Sequence, residues 1–199
     1  VQSTATAPQD AYWDPYLGNW SLGLRVLPLD FDGDGIQELA VSAPYASVSR
    51  ETTRTPEACM SLDGNDAPTD TWGRGEVRIL RWDSTSSKWS AVFRFVPARG
   101  RSAYGGLYGN ALSVADLNGD GKDDVLVGRS TAVSNHGAEV LFGRALSTLD
   151  PAMLPEVVCD GVVLAPSAPI DALEDVRHWS TMGTALAPLG DLDGDGCQE

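Results

Sequence analysis

The chain has 199 residues, 42% hydrophobic and 21% charged, so it holds enough apolar material to bury a core. Its 28 acidic residues outweigh 14 basic ones, a formal charge of −14 that repels phosphate backbones and argues against a nucleic-acid partner. Lys88 and Lys122 are the only lysines, so there is no polybasic membrane patch, and no apolar run reaches the ~18 residues of a membrane span.

The predicted elements start at residue 22. Leu22 to Pro44 (LGLRVLPLDFDGDGIQELAVSAP) reads as a strand, an acidic loop and an apolar β-type run, Leu39-Ala40-Val41. A polar stretch rich in Pro, Ser and Thr, residues 47–71, is expected to be a long surface excursion. Gly75 to Trp82 alternates cleanly, and Trp89 to Val96 is a further alternating strand. Tyr108 to Ser130 (YGNALSVADLNGDGKDDVLVGRS) then repeats the first segment. Ala111, Ser113 and Ala115 lie on one side of its leading strand, Leu112 and Val114 on the other, and Val125-Leu126-Val127 follows the loop. Gly137 to Phe142 takes the place that Gly75 to Trp82 held. A second excursion, 145–180, follows, with a short helix expected near Ile170 to Val176. Met182 to Glu199 (MGTALAPLGDLDGDGCQE) opens a third copy.

Four strands per unit, repeated, is the pattern of an all-β fold built of β-propeller blades. The loops open at residues 30, 116 and 191, wider than the usual propeller spacing of about 40–50 residues, and the two excursions account for the excess.

Twelve of the acidic residues lie in the three loops. Clustered carboxylates repel one another unless a cation sits among them. Counting from its first Asp, loop 1 (30–38) places carboxylates at positions 1, 3, 5 and 9: Asp30, Asp32, Asp34 and Glu38. Loop 2 (116–124) has Asp116, Asn118, Asp120 and Asp124, and loop 3 (191–199) has Asp191, Asp193, Asp195 and Glu199. Oxygen ligands on alternate residues of a curled loop can all face one ion. Glycine at position 6 (Gly35, Gly121, Gly196) permits the turn. The position 7 carbonyl, from Ile36, Lys122 or Cys197, is then free to act as a ligand. Hard oxygens with no His or Cys side chain favour Ca²⁺, about one per loop and up to three in all. An EF-hand needs a Glu at position 12. Val41 and Val127 stand there, inside the following strands, so the ion is expected to staple a β-hairpin turn.

These residues resemble the FG-GAP repeat of the integrin α-subunit β-propeller. That signature joins a Phe-Gly-like pair, a D-x-[DN]-x-D-G-x-x-[DE] calcium loop, an apolar strand and Gly-Ala-Pro. Here the pair reads Leu22-Gly23, Tyr108-Gly109 and Met182-Gly183, and the closing tripeptide reads Ser42-Ala43-Pro44 and then Gly128-Arg129-Ser130. The resemblance implies a closed ring of seven blades, with calcium loops on the underside and partners on the opposite rim. About two and a half units cannot close such a ring. The expectation is that residues 1–199 are part of one propeller, completed by a second chain or a missing C-terminal part.

His136 and His178 belong to no ligand pair, and there is no G-x-S-x-G elbow, H-E-x-x-H or P-loop. The reading is a non-catalytic, secreted or cell-surface propeller for adhesion or protein recognition, stabilised by calcium. One alternative is a carbohydrate-binding propeller that uses some of the six tryptophans. The other is the calcium-binding portion of a larger secreted hydrolase. Cys59, Cys159 and Cys197 fit no zinc spacing, and their pairing stays open.

Overall fold

A computed structural model describes residues 22–46, 75–97, 107–129, 137–146, 156–158, 160–164 and 183–199. The excursion at 47–71, the helix expected at 170–176, Cys59, Cys159, His136 and His178 lie outside the described residues.

The described residues are all-β, with no helix among them. β1 (Val26–Leu29), β2 (Glu38–Ala43), β3 (Glu76–Asp83) and β4 (Lys88–Phe95) form consecutive antiparallel pairs. β5 (Ala111–Ala115), β6 (Asp124–Arg129) and β7 (Gly137–Leu141) do the same in a second sheet. The expected blades are therefore present. Within the stretch that the sequence reads as a surface excursion lie two short strands, β8 (Glu156–Val158) and β9 (Val162–Leu164). β8 adds parallel to β4 and covers the outer edge of the first sheet, whereas β9 adds antiparallel to β7 as the fourth strand of the second. Three-residue strands carry too little periodicity to be read from the sequence. No strand occurs among the described residues of the third unit, although Leu189 N–H donates to Glu199 O at 2.6 Å and Glu199 N–H to Gly190 O at 3.1 Å, pairing the two ends of its loop.

The two sheets share one apolar core. Leu29, Ala40, Val77, Ile79, Phe93 and Phe95 of the first meet Leu112, Val125, Val127 and Leu141 of the second. Phe31, the second residue of loop 1, is fully buried edge-on against Phe93 and Phe95, with ring centroids 5.8 and 6.0 Å apart. The aromatic–glycine pair of the second unit wedges between the sheets. Tyr108 is fully buried, and Gly109 has φ +89°. A Cβ on Gly109 would lie 2.9 Å from Ser42 Cβ, so close sheet contact and left-handed backbone both demand glycine. At the next junction a Cβ on Gly128 would lie 1.9 Å from Gly183 O, which explains why glycine persists there although Arg129 and Ser130 depart from the family's tripeptide.

Candidate metal centre

Each acidic loop is built on the same hydrogen bonds. The position 1 carboxylate accepts from the glycine at position 6: Asp30 from Gly35 at 2.9 Å, Asp116 from Gly121 at 2.9 Å and Asp191 from Gly196 at 3.0 Å. The position 3 side chain accepts from N–H 5, as Asp32 from Asp34 at 3.2 Å, Asn118 from Asp120 at 3.1 Å and Asp193 from Asp195 at 3.1 Å. The position 5 carboxylate accepts from N–H 7, as Asp34 from Ile36 at 2.8 Å, Asp120 from Lys122 at 3.0 Å and Asp195 from Cys197 at 2.8 Å. The position 9 carboxylate reaches back to N–H 2, as Glu38 to Phe31 at 3.1 Å, Asp124 to Leu117 at 2.9 Å and Glu199 to Leu192 at 2.8 Å. Carboxylates spaced two apart thus satisfy the loop's own N–H groups; Asp116 and Asp191 use both oxygens for this, whereas Asp32 and Asp34 each keep Oδ2 for a partner outside the loop.

The loops also stand in file. N–H 8 of one loop donates to the position 1 carbonyl of the loop before it: Asp123 to Asp30 at 3.0 Å, and Gln198 to Asp116 at 2.9 Å. The position 7 residue then lies over the neighbour's position 4 glycine. A Cβ on Gly33 would meet Lys122 Cγ at 3.1 Å, and one on Gly119 would meet Cys197 Sγ at 3.4 Å. Lys122 and Cys197, expected as carbonyl ligands, therefore also serve as spacers between loops, while Ile36 is exposed.

The carboxylates converge unequally. In loop 1 oxygens of Asp30, Asp32 and Glu38 lie within 4.8 Å of one another, as do those of Asp191, Asp193 and Asp195 in loop 3. The acids of loop 2 form no such triad, since Asn118 replaces one of them. Glu38 and Asp124 are completely buried, whereas Glu199 is exposed. Glu38 Oε1 and Asp30 Oδ1 are buried without a hydrogen bond. Burial, with the negative charge of Asp32 and Asp34, pushes the Glu38 carboxyl up to about 7 against the pull of Phe31 N–H and Arg81. Burial also raises Asp124, opposed by bonds from Gly143 and Leu117. Asp34 is held below the usual carboxylate range by Ile36 N–H and then by Arg81, and Asp120 by its bond from Lys122. Two buried oxygens without a hydrogen bond, beside further carboxylates, are donors of the kind a hard divalent cation takes, so the residues present fit Ca²⁺.

Arg81 is a member of this site that the sequence did not reveal. Its guanidinium bonds Asp32 Oδ2 at 2.8 Å and Asp34 Oδ2, with Nε 3.8 Å from Glu38 Oε1. The available signal is register. Leu39 pairs with Leu80 and Val125 with Leu141, so one step further Arg81 stands opposite Glu38 where Phe142 stands opposite Asp124.

The FG-GAP repeat family matches at residues 22–55 and 108–138, which contain loops 1 and 2. Over 132 residues, 65% of the chain, the sequence is 33% identical to integrin alpha-IIb of Homo sapiens and 31% identical to integrin alpha-IIb of Mus musculus. The match spans 11% of the length of each relative. The chain carries FG-GAP repeats, and its two sheets are consistent with part of an integrin-like β-propeller.

Proposed function

We propose that this chain is a non-catalytic, extracellular adhesion or recognition module whose three loops each hold a structural Ca²⁺. The observation that carries the reading is the pair of buried, unbonded oxygens, Asp30 Oδ1 and Glu38 Oε1, inside a hydrogen-bonded frame that recurs in all three loops. Asp30, Asp32, Asp34 and Glu38 would hold the first ion, Asp116, Asn118, Asp120 and Asp124 the second, and Asp191, Asp193, Asp195 and Glu199 the third. The carbonyls of Ile36, Lys122 and Cys197 would complete the shells. When bound, the cation neutralises the carboxylates and fixes the turn, and this chain's own N–H groups already orient each acid for that task. At ~1 mM extracellular calcium and Kd ~10⁻⁴ M, each site adds about 1.4 kcal/mol to stability.

Further blades, from the same polypeptide or a second chain, are proposed to continue the file of loops. The repeated step between loops supports this, since Asp123 N–H bonds Asp30 O and Gln198 N–H bonds Asp116 O in the same way. Differential scanning calorimetry tests the calcium role. Chelation by EDTA should lower Tm by several degrees and added calcium should restore it; an unchanged Tm contradicts the structural role. A second reading, glycan recognition, is favoured by Trp82 and Trp89. This cross-strand, edge-to-face pair is 43% and 45% exposed, with centroids 5.5 Å apart, and a half-exposed indole is a surface on which a sugar can stack. Loss of glycan-array binding in W82A and W89A would support it.

A further inference from the structure

The geometry points to Arg81 as a tethered cation that competes with Ca²⁺ for loop 1, holding the loop in shape without metal and lowering its affinity for the ion. This rests on the calcium reading of the loops. The guanidinium uses oxygens that the loop's own bonds leave over. Asp32 Oδ1 serves Asp34 N–H and Asp34 Oδ1 serves Ile36 N–H, while Oδ2 of each goes to Arg81. Glu38 repeats the division, with Oε2 on Phe31 N–H and Oε1 3.8 Å from Arg81 Nε. An ion gripped by these same oxygens has to displace the guanidinium or share them with it, and displacement costs charge-assisted hydrogen bonds.

Loop 2 lacks the device. Opposite Asp124 the matching strand position is Phe142, and Asp124 Oδ1 accepts instead from Gly143 N–H at 2.8 Å. Lys122 Nζ reaches one carboxylate of loop 2, Asp120, at 3.0 Å. In loop 3 the position of Lys122 is occupied by Cys197, which carries no positive charge. Arg81 comes from β3, outside the loop, so its charge is delivered by the sheet register rather than by the loop sequence.

The test uses the three position 6 glycine amides, each donating to its own loop's first Asp, as separate reporters in an NMR titration of the chelated full chain with calcium chloride. In R81M, which removes the charge and keeps an apolar stem, the Gly35 midpoint should fall about tenfold in calcium, the worth of one charge-assisted bond. The Gly121 and Gly196 midpoints should stay where they are. R81K, which keeps the charge, should move Gly35 less, and R81Q stands in if R81M loses its dispersed spectrum. A second readout is the melting temperature. R81M should lower Tm more in EDTA than in saturating calcium. A Gly35 midpoint that is unmoved, moves to higher calcium, or moves equally in R81K and R81M overturns the assignment while leaving the calcium reading intact. No response from any of the three amides up to ~10 mM calcium, beyond the weakest extracellular modules, overturns both.

Discussion

Loops 1 and 3 share a hydrogen-bonded frame and a set of four acids, yet they sit in opposite surroundings. In loop 1 the second residue, Phe31, is fully buried in the core, the ninth, Glu38, is fully buried, and Arg81 lies on the free oxygens. In loop 3, whose unit has no strand among the described residues, the second residue, Leu192, is 67% exposed within residues 1–199, and the acids are exposed too. The frame is therefore a property of the loop sequence alone, whereas burial and counter-charge are imposed by the sheets. What differs between the loops should follow the surroundings, and what is shared should not.

The largest expected contrast lies at position 2. F31A removes a ring packed on Phe93 and Phe95 and should cost about 3–5 kcal/mol in denaturant unfolding. L192A, at the same place in loop 3 and measured on residues 1–199 alone, should stay within about 0.5 kcal/mol. Equal losses would break the comparison.

The next contrast is in pH. The Glu38 carboxyl sits at about 7 in the folded, metal-free chain against an ordinary 4.5. The folded state then binds the proton more tightly than the unfolded one. The stabilisation is complete below about pH 4.5 and lost as pH rises through about 7. In EDTA the melting temperature should fall between pH 5.5 and 7.5, and the fall should be smaller in E38Q, whose amide does not titrate. A slope unchanged in E38Q removes Glu38 as its source.

Smaller and equal effects are expected where the two loops are alike. Gly35 and Gly196 have φ of +82° and +94°, and a Cβ on either meets nothing within 4 Å. G35A and G196A should each cost about 1–2 kcal/mol from backbone strain alone. The smallest effect belongs to a turn outside the acidic loops. Asp83 accepts from Thr85 N–H at 2.8 Å and Ser86 Oγ at 2.6 Å, and these bonds, the hydroxyl's first, lower its pKa. Its contribution is present above the ordinary value of 3.8 and lost as pH falls through the lower folded one. D83N should shift Tm by a degree or less at pH 7 and abolish that acid-limb contribution.

The parts of the site legible in the sequence are those fixed within nine residues. Asp at positions 1 and 5, Asp or Asn at 3, glycine at 6 and an acid at 9 define the frame through local bonds, so three repetitions located it. The blade strands from Glu76 to Asp83 and from Ala111 to Ala115 were legible because apolar residues alternate along them. Arg81 was not, because in the string EVRILRWD it looks like an outward-facing strand residue, and only the pairing of β2 with β3 brings it over Asp32 and Asp34. β8 and β9 were hidden for a related reason. Each has three residues, and their role comes from the edges of β4 and β7 that they cover.

The central claim is that the three loops are cation sites. Isothermal titration of the chelated chain with calcium chloride tests it most directly. The account predicts up to three ions bound per chain at Kd of ~10⁻⁴–10⁻³ M or tighter, with the loop 1 ion lost in a D30N/D32N variant. A titration with no saturable heat, or a stoichiometry untouched by those substitutions, contradicts it.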